Sequence, residues 1–247
     1  MEVRHGRLTG PSLRMVTAII PMIIVLVNAC SGAAPPASPV PTSPMAQAPT
    51  PEPEDTAIAH QESSMSGMVE VPAGEFTMGS DEDTSEERPA HTVYVDAFWI
   101  DRTEVTYGDY VGFLNHLGGH KGHCLGHDCN ELKGVDRQSH MLLDGGTYVV
   151  EEGFEDYPMA ELSCYGAQAY CQWVGKRLPT EAEWEKAARG TDARRYPWGD
   201  GDPDCTMANF RTCVRHTINV GTYPKGASPY GALDMAGNVW EWTADWY

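Results

Sequence analysis

The side chains with the most chemical capacity are sulfur and imidazole, and they crowd into one short stretch. His120, His123, Cys124, His127, Asp128 and Cys129 lie within ten positions. Cys and His at such spacings could hold zinc. Alternatively, Cys124 and Cys129 could close one small disulfide loop with the histidines exposed, the reading an oxidising compartment favours. Six cysteines follow Cys30. An even count in an exported chain reads first as disulfides. Cys205 and Cys213 flank Ala208-Asn209-Phe210 and could staple that loop. Cys164 and Cys171 are seven apart on a predicted helix, about 10 Å along its axis. That exceeds the usual Cα separation of a disulfide, so they are not expected to pair with each other. No Ser-His-Asp nucleophile motif or Gly-rich phosphate loop stands out.

Charge narrows the partners. The 247 residues carry a net −18. Such a balance argues against a nucleic-acid binder, which needs a basic face to meet phosphates. It argues equally against a domain that docks on anionic lipid. Trp198, Trp240, Trp242 and Trp246 cluster late in the chain. They could line a peptide or sugar groove, or they could pack a core.

These residues must be positioned by local elements. Val69 to Gly79 reads as a short strand, a Pro/Gly turn and a second strand. Asp81 to Glu87 is an acidic loop. His91 to Ile100 is a β-rich run whose imperfect alternation suggests burial on both faces. Thr106 caps a helix, with Asp109 in the capping-box position. Its apolar face is Tyr110, Phe113, Leu114 and Leu117, and Gly118-Gly119 stops it. A second helix is expected from Cys164 to Val174, capped by Ser163 and stopped by Gly175. The third begins at a full capping box, Thr180 to Glu183, and ends at Gly190. Three short helices, scattered strands and long loops, without βαβ alternation, predict an α+β domain low in regular structure.

The amino terminus reads as an address and an anchor. Arg4, Arg7 and Arg14 precede an apolar run from Met15 to Val27, interrupted by Pro21. A spanning helix needs about twenty apolar residues, so this run matches a secretory signal instead. It leads into Val27-Asn28-Ala29-Cys30, which resembles a bacterial lipoprotein processing site. The expectation is a signal peptide over 1–29 and a lipidated Cys30. Export to the cell envelope follows from that signal, and placement of the lipid in the outer membrane from Ser31 and Gly32, which give no acidic retention signal. Eight prolines between Pro35 and Pro53 make residues 30–67 a semi-rigid tether. The folded domain is expected over 68–247.

Several stretches, in this order, resemble the formylglycine-generating enzyme (sulfatase-modifying factor) family. They are Val71-Pro72-Ala73-Gly74-Glu75-Phe76-Thr77-Met78-Gly79, Glu104-Val105-Thr106 and Ala169-Tyr170-Cys171-Gln172-Trp173. Gly175-Lys176-Arg177-Leu178-Pro179-Thr180-Glu181-Ala182-Glu183-Trp184-Glu185 comes next, then Tyr196-Pro197-Trp198-Gly199 and Ala208-Asn209-Phe210. The last is Asp234-Met235-Ala236-Gly237-Asn238-Val239-Trp240-Glu241-Trp242. The resemblance implies a loop-rich α+β fold related to C-type lectin-like domains. It implies oxidation of a cysteine in a sulfatase, or another protein or peptide substrate, to formylglycine by O₂ and Cu(I). Two cysteines hold that copper, and thiolates suit so soft an ion. In the family the pair lies beyond Trp-Glu-Trp, after a Gly-Gly-Ser turn. The sequence as read reaches Tyr247, so no residue here takes the catalytic role. The expectation is a fragment or a degenerate relative, incomplete at its C-terminal side. Copper is expected only with that missing pair. In relatives the cysteine matching Cys171 also pairs beyond this point. The same domain occurs in iron-dependent sulfoxide synthases and in lectin-like and accessory proteins. A non-catalytic surface-binding lipoprotein is therefore the alternative.

The resemblance also implies a calcium site. By position its ligands are the carboxylates of Asp234 and Glu241 and the carbonyls of Gly237 and Val239. Oxygen ligands on a sharply turning loop suit this hard cation. A hydrogen-bonded loop built on Asn238 and Glu241 is the competing expectation. A second calcium would use Asn209 and the carbonyl of Phe210, but the Asp that completes it in relatives has no counterpart between Arg211 and Gly221.

Overall fold

The computed structural model describes residues 67–82, 87–130, 139–210 and 213–245. The signal, Cys30, nearly all of the tether, the middle of the acidic loop and Trp246 lie outside them. Among the described residues the strands are β1 (Met68–Val71), β2 (Gly74–Met78), β3 (His91–Val95), β4 (Phe98–Asp101), β5 (Met141–Asp144) and β6 (Thr147–Val150). The helices are α1 (Tyr107–Leu117), α2 (Cys164–Trp173) and α3 (Glu181–Arg189). The architecture is the loop-rich α+β arrangement expected.

Helix boundaries follow their caps. The Thr106 hydroxyl accepts the Asp109 N–H at 3.2 Å, and Asp109 returns the bond to complete the capping box. Gly118 closes α1 in the left-handed conformation. Ser163 Oγ accepts the Gly166 N–H at 3.0 Å and donates to the Asp128 carbonyl at 2.6 Å, tying α2 to the cysteine loop. That helix ends at Trp173, with Val174 as its cap. Thr180 and Glu183 form the reciprocal box of α3, and Arg177 grips the Glu183 carboxylate with two bonds of 2.7 and 2.6 Å.

Strand pairing differs from the simplest reading. β1 and β2 are consecutive but do not pair. β1 runs antiparallel to β4 and β2 antiparallel to β3. The predicted β-rich run is thus two strands, broken at Asp96-Ala97, each serving a different ladder. Burial on both faces is also corrected. Tyr94 is 63% exposed and Trp99 42%, while Val95 is buried. α3 covers only one side of these two-stranded ladders, so the other meets solvent. The β5–β6 hairpin was not anticipated. Gly145-Gly146 makes its turn, and the Asn115 carboxamide pins it to α1 by exchanging 2.8 Å bonds with the Tyr148 backbone.

Two apolar clusters form the core. Tyr107, Tyr110, Phe113, Leu114 and Met159 pack with Cys124 and Cys129. Val71, Trp184, Ala187, Ala188, Ala232 and Met235 form the other. Lys186 of α3 lies fully buried beside the second. Its Nζ donates to the carbonyls of Pro72 at 2.7 Å, Gly74 at 2.8 Å and Val95 at 3.4 Å. Burial pushes its pKa down. One ammonium thereby satisfies three carbonyls of the β1–β2 turn and β3 that would otherwise be buried without a donor. Lys186→Met keeps the stem and removes the donors. It is expected to cost about 2–4 kcal/mol, seen as a loss of several degrees in a thermal melt. An unchanged melt would show the cage to be unimportant.

Candidate metal centre and adjoining groove

The loop after β-strand and helix formation ends, residues 231–245, is folded back on itself by unusual backbone. Asp234 and Asn238 take positive φ of 56° and 57°, and Gly237 takes 101°. A Cβ on Gly237 would stand 2.4 Å from the Asn209 carbonyl oxygen, so only glycine fits that approach. Asn238 then clamps three segments. Its N–H donates to the Asn209 carbonyl at 2.8 Å. Its Oδ1 accepts the Ile218 N–H at 3.0 Å. Its Nδ2 donates to the Ile218 carbonyl at 3.1 Å and to Glu104 Oε1 at 3.0 Å.

The acidic side chains are gathered by this loop. Asp234 Oδ2 accepts the Gly221 N–H at 2.5 Å. Glu241 Oε2 accepts the Trp184 indole N–H at 3.0 Å, so α3 holds it directly. Glu104 Oε2 is shielded from solvent and has no hydrogen-bond partner. Burial, and then the charges of Asp234 and Glu241, push the Glu104 carboxyl far above its ordinary range. Burial and Asp234 push Glu241 up to about 7, against the Trp184 bond that lowers it. Among the described residues no group of three or more His, Cys, Asp or Glu side chains is placed to hold a metal ion. Two of the four expected ligands are the backbone carbonyls of Gly237 and Val239, however, so the loop site does not need three converging side chains. An unsatisfied buried carboxylate oxygen beside two more carboxylates fits an oxygen-seeking cation. Asn238 and Glu241 also have the hydrogen bonds of the competing expectation.

A groove opens beside this centre. A cavity of about 350 Å³ is lined by residues 104–105, 159–162 and 239–242. A second of about 530 Å³ shares Glu104, Val105, Glu241 and Trp242 with it and reaches Cys171, Lys176 and Trp99. The tryptophans divide between the two expectations. Trp242 lines both cavities and donates to the Leu162 carbonyl at 3.1 Å. Trp240 is 62% exposed at the rim, so it is not core. Trp198 stacks on Tyr196 away from the groove.

The cysteine loop is resolved in favour of the disulfide. Cys124 and Cys129 are bonded, as are Cys205 and Cys213. The zinc alternative on His120, His123, Cys124, His127 and Cys129 is therefore overturned, because both sulfurs are consumed. The imidazoles are used elsewhere: His120 Nδ1 stands 2.5 Å from the Tyr148 hydroxyl, and His127 stacks on Tyr165. Asn209 Nδ2 donates to the His216 carbonyl at 2.7 Å, and the Phe210 carbonyl accepts the Cys213 N–H at 2.8 Å. Both residues of the second calcium expectation thus brace the stapled loop. Cys171 is the free cysteine among the described residues, with its thiol pushed up to about 11 by burial and by Asp101.

Glu104 is the site residue that sequence reasoning missed. It stands in a family-like stretch, but nothing local marks it as partner to a loop 134 residues away.

Residues 54–247 match the sulfatase-modifying factor enzyme 1-like domain. The chain belongs to the sulfatase-modifying factor family. Serine/threonine-protein kinase pkn1 of Chlamydia pneumoniae is 41% identical over 181 residues, 73% of this chain and 28% of that protein. Hercynine oxygenase of Mycolicibacterium smegmatis is 37% identical over 191 residues, 71% of this chain and 45% of that protein. Formylglycine-generating enzyme of Bos taurus is 34% identical over 216 residues, 73% of this chain and 58% of that protein. The matched stretch spans 28% to 58% of these relatives' own lengths. Among solved structures, PvdO from Pseudomonas aeruginosa aligns with a TM-score of 0.54 at 27% identity, over 73% of this chain and 71% of that one. The sulfatase-modifying factor fold thus occurs in relatives with unlike names, so the site must carry any argument about function.

The raised carboxyls predict a pH dependence without metal. Below pH 4.5 Glu241 is protonated in the folded and unfolded chain alike, and its charge costs nothing. As pH rises, the unfolded chain releases that proton first, and stability falls until about pH 7. Melts in chelator should show this contribution lost between those limits, and Glu241→Gln should flatten it. An identical slope in both proteins would refute the buried placement.

Proposed function

We propose that this is the protein-modifying domain of a formylglycine-generating-type oxidase, acting on a cysteine of an exported partner such as a sulfatase. A lipid on Cys30 holds it at the cell envelope, on the outer membrane, and the proline-rich tether gives it reach. The carrying observation is the groove beside the Asp234–Trp242 loop, rimmed by exposed Trp240 and open enough to take an extended peptide. The 34% identity to a formylglycine-generating enzyme supplies the chemical class. Turning a cysteine side chain into an aldehyde removes two electrons and two protons, with water supplying the carbonyl oxygen and sulfur leaving as sulfide. O₂ takes the two electrons to become hydrogen peroxide, or four to become water when a thiol reductant adds two more. Calcium held by Asp234, Glu241 and the carbonyls of Gly237 and Val239 would neutralise the crowded carboxylates and fix the groove wall.

Copper does not fit the described residues. Five of their six cysteines are in disulfides, the Cys124–Cys129 and Cys205–Cys213 pairs and Cys164, and Cys171 is the free one. A single thiol with a raised pKa is a poor Cu(I) ligand set, so no step is derived through the metal. This same observation favours a second reading, a calcium-stabilised binding module that holds a protein segment at the cell surface.

The experiment is to express the full gene product, load it with copper and calcium, and incubate it aerobically with a cysteine-containing sulfatase peptide. Aldehyde captured by a hydrazide probe, lost without copper, is expected for the oxidase. Peptide binding that needs calcium, with no aldehyde formed, would replace the oxidase with the binding module.

A further inference from the structure

Two disulfides of the domain sit in unlike surroundings. Cys124 and Cys129 are fully buried in the core around α1. Cys205 is exposed and Cys213 half-buried, so a reagent in solution reaches the second bond and not the first. That second bond closes the segment on which the acidic loop leans, eight positions from end to end. The segment presses two backbone carbonyls against glycines. A Cβ on Gly226 would stand 1.8 Å from the Met207 carbonyl oxygen, and one on Gly237 2.4 Å from that of Asn209. No side chain mediates either approach, so both depend on where the backbone of the segment is kept. The Asn209 carbonyl accepts the Asn238 N–H at 2.8 Å. The Asn209 carboxamide donates to the His216 carbonyl at 2.7 Å and to Asn238 Oδ1 at 3.3 Å. Asn238 in turn clamps the Ile218 backbone and Glu104, and it precedes the groove wall at Val239–Trp242. A continuous line of contacts therefore runs from an exposed sulfur, through Asn209 and Asn238, to the groove.

We infer that the Cys205–Cys213 disulfide is an exchangeable clasp, open to a dithiol such as a reduced thiol–disulfide oxidoreductase, and that its state sets how firmly the groove wall is held. Exposed disulfides are the ones that undergo such exchange, while buried structural ones resist it. A thiolate of the dithiol attacks the exposed Cys205 sulfur, forms a mixed disulfide and expels Cys213 as a thiolate. The second thiol of the reagent then displaces Cys205. The two released thiolates take up the protons that the two attacking thiols lose. The dithiol gives up two electrons and ends as a disulfide, and the protein ends with two thiols. Once the bond is cut, the segment regains the chain entropy that its closure had removed. Its hold on Asn238 then rests on hydrogen bonds and packing alone. The inference rests on the groove reading above for its consequence, since peptide binding is what a loosened wall would weaken.

Graded dithiothreitol on the folded full chain, followed by alkylation and peptide mapping, tests the exchange. Cys205 and Cys213 are expected to be labelled at dithiol concentrations at least about tenfold below those that expose Cys124 and Cys129. Hydrogen exchange on the chain reduced at that one bond tests the coupling. The amides of Asn238 and Ile218 are expected to exchange at least about tenfold faster than in the oxidised chain. Those of α1 should keep their protection, which shows that the domain stays folded. A Cys205→Ser/Cys213→Ser variant should exchange fast at the same two amides without reductant and respond to it no further. The titration reads the unaltered chain, so it decides the matter even where the variant does not fold. Labelling of both pairs together, only at concentrations that also release α1, would overturn the exchange. Selective labelling of Cys205 and Cys213 with unchanged exchange at Asn238 and Ile218 would overturn the coupling. Neither readout uses peptide binding or aldehyde formation, so this inference and the proposed function fail separately.

Discussion

Like charges kept close out of water are the constraint around which this domain is arranged. Glu104, Asp234 and Glu241 come from two segments far apart in the chain, and burial first, then the charge of acidic neighbours, raises Glu104 and Glu241. Nothing in the local chain favours that meeting. It is enforced by neutral donors placed at fixed positions: the Asn238 carboxamide, the Gly221 N–H and the Trp184 indole. Each of these satisfies one oxygen and leaves the charge in place. The result is a pocket floor of buried carboxyls with raised pKa values, the kind of cost that folds keep where function needs it.

Helix α3 is the element that makes the arrangement affordable. On one face Trp184 packs with Val71, Ala232 and Met235 and reaches Glu241 through its ring nitrogen. On another, Lys186 closes the turn between β1 and β2 by binding three carbonyls. Arg189 and Glu185 pair across one turn, and Glu185 accepts the Gly79 N–H at 2.9 Å. The same nine residues therefore anchor the strands and the acidic loop. The other cluster, around α1 and the Cys124–Cys129 disulfide, builds the opposite wall through Met159 and Leu162. The groove lies where these two bodies meet, which is where ligand sites commonly form.

Much of this was legible in the residues. The caps at Thr106, Ser163 and Thr180, the stops at Gly118 and Gly190, and the family motifs were all readable. So were the disulfide pairings Cys124–Cys129 and Cys205–Cys213, because each pair is close in sequence. The strand pairing was not. A turn at Pro72-Ala73 looks like a hairpin connection, but the ladders join β1 to β4 and β2 to β3. The exposure of Tyr94, Trp99 and Trp240 was equally hidden, since an aromatic residue reads the same whether it packs or projects.

The division has a physical basis. A cap, a stop or a short disulfide is satisfied by partners within a few residues, so composition and spacing determine it before the chain folds. The sequence by itself determined the three helices, the two stapled loops and membership of the sulfatase-modifying factor family. A two-stranded ladder, a lysine cage and a cluster of carboxylates have no local partner at all. Their hydrogen bonds and charges are balanced by groups 13 to 134 positions away. Only tertiary structure could decide that Glu104 faces Asp234 and Glu241, because the favourable terms that outweigh their repulsion are contributed by the packed core around them.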